Sequence, residues 1–329
     1  MSSIPAVRSA PQTQAWPGFL RRAVKSTTGL RGDVAFRALT LLCGLLVLAA
    51  VVGILGTLLI QSRLSIAAFG WSFLGGQTWD PVAKHFGALT FVFGTIVTSA
   101  VAVVLAAPFG VAVALFLTEM APRRLRVPLA FGAELLAAIP SVVYGLWGIF
   151  VLAPVLRSVV EPALGHFSFL PLFSGPAYGV GLLAGGCIIA IMIVPTIIAI
   201  SRDVIAAVPQ AQREAAYALG ATQWEVITSA ILPFGASGII GAVVLALGRA
   251  VGETMAVTMV IGNSHTIQTS LFGLGDTMSS VLANEFTEAA YPLYVSALTE
   301  IGLVLFGVTV LLNVGARLLV WRVTRATGA

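Results

Sequence analysis

The sequence predicts an all-α membrane protein, a bundle of six transmembrane helices. Three observations carry that prediction: the composition, the length of the uncharged runs, and the placing of the positive charges. Of 329 residues, 58% are hydrophobic and 9% charged, where a water-soluble domain carries about 25% charged residues. A lipid solvent accounts for the difference. The charges are clustered, which leaves runs longer than the roughly 20 apolar residues that cross a hydrocarbon core of about 30 Å as a helix. Six such runs occur, at 38–60, 88–117, 127–156, 180–201, 234–262 and 293–320. The second contains Pro108 and exceeds one crossing, so a kink, a tilt or an extension beyond the bilayer is expected there.

Residues 1–37 are polar, hold Pro5, Pro11 and Pro17 and lack a sustained apolar period, which predicts a mostly disordered cytoplasmic extension. The apolar run behind them is longer than the roughly 7 to 15 residues of a signal-peptide core, so no cleaved leader is expected. Residues 38–321 then form the transmembrane domain and 322–329 a cytoplasmic tail. Cys43 and Cys187 each lie alone in an apolar run and read as small buried core residues.

Orientation follows from the basic residues. Fourteen lie in one alternate set of segments: the first 37 residues, Arg123, Arg124 and Arg126, Arg202 and Arg213, and Arg317, Arg322 and Arg325. The other set holds Arg63, Lys84 and Arg157. Positive side chains are retained on the cytoplasmic face, which places both ends there. The net charge of +5 is thereby read as a topology signal, and no nucleic-acid partner is expected. Trp71 and Trp79 suit the outer interface and Trp321 the inner one. Glycine pairs such as Gly181/Gly185 and Gly248/Gly252 suit close helix packing. No internal repeat is visible, so an inverted-repeat transporter has no support.

The connection at 202–233 carries the most information. Pro209 suits a helix start and Gly220 a helix stop, while Thr222 with Glu225 three residues on forms a capping box for a second helix. The result is a short helical hairpin under the membrane. Its first arm offers Ala215, Ala216 and Leu219 to water, an apolar face that a protein partner would cover; an amphipathic helix lying on lipid headgroups is the competing reading. No Gly-Lys-Ser or Gly-Lys-Thr occurs, so no phosphate-cradling loop for ATP is predicted. His85, His166 and His265 are spread over outer segments and read as solvated surface groups, with no metal and no catalytic residue expected.

Charges inside the apolar runs need a reason. Arg249 and Glu253 fall near the centre of the fifth run, where each would cost roughly 2.5 to 3.5 kcal/mol or more facing lipid unpaired. At i and i+4 on one helix they share a face and can pair with each other, with Gly248 and Gly252 letting a neighbouring helix approach. Two readings stand side by side. In one, the guanidinium fork lines the route of a tetrahedral anion and Glu253 holds or releases it, with Gly252 and Thr254 beside them; in the other, the pair is a permanent structural bridge. Glu134 in the third run and Glu300 in the sixth are secondary intramembrane charges, read as structural hydrogen-bond partners although both could reach Arg249.

Two resemblances follow from these residues. Glu214-Ala215-Ala216, Gly220 and Leu232-Pro233 resemble the EAA loop of ABC importer permeases, with Ala230 where the pattern carries isoleucine. The stretch Gly248-Arg249-Ala250-Val251-Gly252-Glu253-Thr254-Met255-Ala256-Val257 resembles the signature of the PstC family of phosphate-importer permeases. So do the stretches from Glu134 to Gly148 through Ile139-Pro140-Ser141, Phe69 to Leu74, and Trp79-Asp80-Pro81. The sister permease family usually follows Gly-Glu-Thr with Ala-Pro, whereas this chain has Met255-Ala256. The resemblance implies a MetI-like, type I ABC importer permease in the bacterial inner membrane, passing inorganic phosphate by alternating access. It also implies the partners: a second homologous permease, two copies of a cytoplasmic ATPase that binds the ATP, and a periplasmic phosphate-binding protein. The loop would then be the coupling helix, and the chain a transport subunit without cofactor and not an enzyme. A permease for sulfate or molybdate, and a membrane scaffold for phosphate sensing, are the alternatives.

Overall fold

The computed structural model describes residues 27–327. Most of the expected N-terminal extension, residues 1–26, lies outside the described residues, as do residues 328 and 329 of the expected tail. The chain divides into two units, Met1–Gly56 and Thr57–Ala329, each taken by itself. In the first, helix α1 (Thr27–Gln61) begins eleven residues before the expected start at Ala38 and continues into the second unit. Its apolar side chains, among them Leu39, Leu42 and Leu46, are exposed. Cys43 shares that exposure, so it is not the buried core residue expected of it; Cys187 is half-buried.

The second unit adds five long apolar helices. They are α2 (Leu89–Met120), α4 (Ser141–Gly165), α5 (Leu182–Ala206), α7 (Gln223–Val251) and the last crossing (Pro292–Arg322), so with Gly32–Gln61 of α1 six crossing helices occur among the described residues. Shorter helices lie between them: α3 (Arg123–Ala138), α6 (Gln210–Ala218), α8 (Met255–Val260) and α9 (Met278–Glu285). The last crossing belongs to α10 (Pro292–Thr327).

The core forms where α2 and α5 cross. Ala102 and Ala106 meet Ile188, Ile189, Ile193 and Ile197, all buried. Small residues allow the approach: a Cβ on Gly186 would stand 2.5 Å from Val101, and one on Gly110 2.8 Å from Ile197. In lipid no hydrophobic driving force pulls helices together, so this close van der Waals fit has to hold them. α2 contains Pro108 and still runs as one helix, about 48 Å long at 1.5 Å per residue. That exceeds the hydrocarbon core, in keeping with an extension beyond it.

Two expected spans are corrected. The third crossing is not 127–156 but Ser141–Gly165. Ile139 adopts φ −67°, ψ 129°, the extended form that a following proline enforces, and the helix stops there. α3 ahead of it carries Arg123, Arg124, Arg126 and Glu134, buries no residue and is a separate helix. The fifth crossing does not run through 234–262. It begins at Gln223 in the hairpin, ends at Val251, and resumes as α8 after Gly252-Glu253-Thr254. Pro233 therefore sits inside a continuous helix. The π-turn at Ile227–Ile231 just before it provides the local slack that a residue without an N–H and with a bulky ring requires.

Candidate functional site

The hairpin between α5 and α7 forms as its caps dictate. Pro209 precedes α6, and Gly220 turns the chain with φ +85°, a left-handed conformation with open space around it. The Thr222 backbone N–H donates to Glu225 Oε2 at 2.7 Å while the Glu225 N–H donates to Thr222 Oγ1 at 3.4 Å, completing the capping box. Glu214 and Ala215 face outward with Tyr217, and Leu219 is 91% exposed at the tip. Ala216 does not share that outer face. It turns inward against an apolar cluster that includes Ala114, Ile205, Val226 and Ile227, with Leu232 packed at its edge. Trp224, 69% exposed, adds an outward aromatic that the motif did not single out.

At the other end of α7 lies the interruption. Gly252 caps the helix, and Thr254 Oγ1 donates to its carbonyl at 3.2 Å. Glu253 stands outside any helix. Its carboxylate accepts from the Ala256 N–H at 3.4 Å, at the start of α8, and its carbonyl accepts from Ser279 Oγ at 2.7 Å. Arg249 lies in the last turn of α7, where a cation meets the negative end of the helix dipole. An Arg249–Glu253 pair does not form: the helix that would align the two residues ends between them, and no ion pair joins them among the described residues. Arg249 is exposed. A cavity of about 470 Å³ adjoins the break, lined by Gly252, Thr254, Ser279, Thr299 and Gly302 among others.

α4 and α8 meet without room for side chains between them. A Cβ on Gly145 would stand 2.5 Å from Met259 Sδ and 3.2 Å from Ala256 Cα, and one on Gly148 2.7 Å from Val260. Tyr144 Oη donates to the Leu136 carbonyl at 2.7 Å, joining the Ile139 N–H at an acceptor where α3 stops.

The secondary charges separate. Glu134 is no intramembrane residue of a crossing; on α3 its half-exposed carboxylate lies 3.5 Å from Arg202, not at Arg249. Glu300 is buried at 6% exposure on α10 beside Ser65, with Oε2 lacking a hydrogen-bond partner.

A polar cluster in the segment after α8 has no counterpart in the sequence reading. His265 Nε2 lies 3.3 Å from Asp276 Oδ2 and 3.2 Å from Glu285 Oε1. Glu285 Oε2 accepts from Trp79 Nε1 and from Tyr294 Oη, both at 2.6 Å. Phe91 packs its ring edge against the imidazole. The Asp276 carboxylate beside it raises the His265 pKa above 6.5, burial opposes that, and the charge of Glu285 adds to the rise. His265 is thus a half-buried clamp between two carboxylates and not a solvated group, whereas His85 and His166 are exposed. Trp79, 7% exposed, is held inside rather than at an interface; Trp71, 88% exposed, remains outward.

Comparison with known proteins places this geometry. The family profile described as "Binding-protein-dependent transport system inner membrane component" matches residues 106–325. The phosphate transport system permease protein PstC of Mesorhizobium japonicum is 48% identical over 302 residues, covering 90% of this chain and 92% of that one. Among solved structures, a bacterial ABC transporter involved in the import of alginate aligns with a TM-score of 0.58 and 17% identity, over 90% of this chain and 99% of that one. An inward-facing MetNI methionine ABC transporter aligns at 0.53 and 18%, over 75% and 100%. The fold is accordingly that of an ABC importer permease, and the chain belongs to the binding-protein-dependent transport system inner membrane component family, in its PstC branch.

Proposed function

We propose that this chain passes inorganic phosphate through the membrane, with Arg249 beside the anion's route and the hairpin seated on a separate ATPase. The chain is a multi-pass inner-membrane transport subunit, and a permease of an ABC importer works with an ATPase and a substrate-binding protein. The finer composition follows the family pattern: a second homologous permease, two ATPase copies and a periplasmic phosphate-binding protein. ATP hydrolysis then belongs to the ATPase, and this subunit needs no cofactor. Both termini are cytoplasmic in this reading, supported by the one-sided basic residues. Glu214, Ala215, Gly220 and the exposed Leu219 supply the ATPase-facing surface, with Ala216, Leu232 and Pro233 fixing the arms beneath it.

The observation that carries the reading is Arg249. Arg249 is a guanidinium exposed at the end of an apolar helix, with no carboxylate in ion-pair reach among the described residues, which leaves its fork open to an anion. A tetrahedral oxyanion fits its fork, and the helix break beside it, with Gly252, Glu253 and Thr254, is the kind of irregular backbone that a membrane tolerates only along a wet or protein-lined path. The PstC relative favours phosphate over sulfate or molybdate, and a conducting subunit over a sensing scaffold.

The complete complex in proteoliposomes tests this directly. Arg249→Ala is expected to reduce ATP-driven phosphate uptake to background while the ATPase still copurifies. Uptake at the unmodified rate would overturn the assignment.

A further inference from the structure

The hairpin is covalently continuous with α5 and α7, so any push on it reaches those two helices directly. α2 has no such continuity, although it forms the core with α5. Its end is nonetheless fastened to the hairpin. Arg213, on the inward face of α6, places Nη2 3.1 Å from Glu119 Oε1 in the π-turn that closes α2. The same Nη2 donates to the Ile205 carbonyl at 2.8 Å, near the end of α5. The other arm is tied to the same residue: Gln223 Nε2 donates to the Glu119 carbonyl at 3.1 Å. The side chains of the pair are only 17% and 13% exposed. Among the described residues this is the one ion pair between the hairpin and α2. Glu214, the neighbouring acidic residue of the motif, faces outward and takes no part in it.

We infer that the Glu119–Arg213 pair is the clasp through which movement of the hairpin reaches α2, which makes both positioning residues for transport. Largely shielded from water, with Arg213 also held on the Ile205 carbonyl, the pair is weakened by solvent and salt less than an exposed pair. Without it, α2 follows the hairpin through the single Gln223 hydrogen bond to the Glu119 carbonyl and through non-directional apolar contact at Val111, Ala114 and Leu115. The inference rests on the reading of the hairpin as the ATPase contact.

The test is the amount of phosphate delivered per ATP hydrolysed by the complete complex in proteoliposomes, with the binding protein present. Glu119→Gln and Arg213→Gln should each lower that ratio about tenfold or more while the complex still assembles and hydrolyses ATP. The double exchange, Glu119→Arg with Arg213→Glu, should recover a substantial part. Single variants at the unmodified ratio would overturn the inference. If the single variants fail to assemble, the double exchange decides: assembly with recovered coupling supports the clasp, and assembly without coupling reduces the pair to a structural contact and overturns it. Absence of ATP-driven uptake by the unmodified complex would instead defeat the underlying reading of the hairpin, a result distinct from variants that match a working parent.

Discussion

The two helices that meet at the α4–α8 contact each follow a helix interruption, and the two interruptions are made of different chemistry. At Ile139-Pro140 the break is covalent in origin: proline lacks a donor and biases its neighbour towards the extended form that Ile139 adopts. At Gly252-Glu253-Thr254 nothing covalent forbids a helix. The break is held by the Ser279 hydroxyl on the Glu253 carbonyl, the Glu253 carboxylate on the Ala256 N–H and the Thr254 hydroxyl on Gly252. One interruption is a fixed corner. The other is a set of exchangeable hydrogen bonds next to a cation, and in an alternating-access protein that is where backbone can rearrange.

The largest effect that probes this contrast is at the contact itself. Gly145→Val must displace the α8 backbone at Ala256, and destabilisation of about 3 kcal/mol is expected, read as a lowered melting temperature of the purified protein. A near-neutral result would mean that the contact is looser than described. Next, Ser279→Ala removes one of the bonds that hold the second break and should cost about 1 kcal/mol, with faster amide exchange at Glu253 and Thr254 as its local signature. Pro140→Ala, at the covalent break, should cost only about 0.5 kcal/mol, through the freer unfolded chain. If it proves the more damaging of the two, the contrast between fixed and exchangeable breaks fails.

The smallest effect is one of pH. His265 has its pKa raised in the folded protein, so the clamp's contribution is complete below 6.5 and is lost as pH rises through the folded value. Melting temperature should therefore fall with rising pH in that window, and His265→Gln should flatten the slope. The groups facing the imidazole are Asp276, Glu285 and the Phe91 ring, and the Trp79 and Tyr294 donors hold Glu285 in place.

Much of this was legible in the residues, for identifiable reasons. The number of crossings follows from run length, and the hairpin from Pro209, Gly220 and the Thr222/Glu225 box, because caps are local chemistry. The bounds of the third and fifth crossings are not legible from hydropathy, which integrates over a run and overlooks where the backbone stops. Ile139-Pro140 was a readable stop, and Gly252 followed by Glu253 and Thr254 has the form of a C-cap joined to the start of another helix. Pairing Arg249 with Glu253 assumed a continuous helix that these signals contradict. The His265 clamp had no comparable signal, since Asp276 and Glu285 sit at no helical or capping spacing from it, and Trp79 and Tyr294, which hold Glu285, join it only through tertiary packing.

α7 starts at Gln223 within the hairpin and finishes at Val251, two residues past Arg249. At 1.5 Å per residue this is a rod about 43 Å long, with the arm of the hairpin at one tip and the exposed guanidinium at the other. The π-turn at Ile227–Ile231 places its slack close to the hairpin tip, and the unbroken stretch Leu232–Val251 beyond it spans about 30 Å to the guanidinium end.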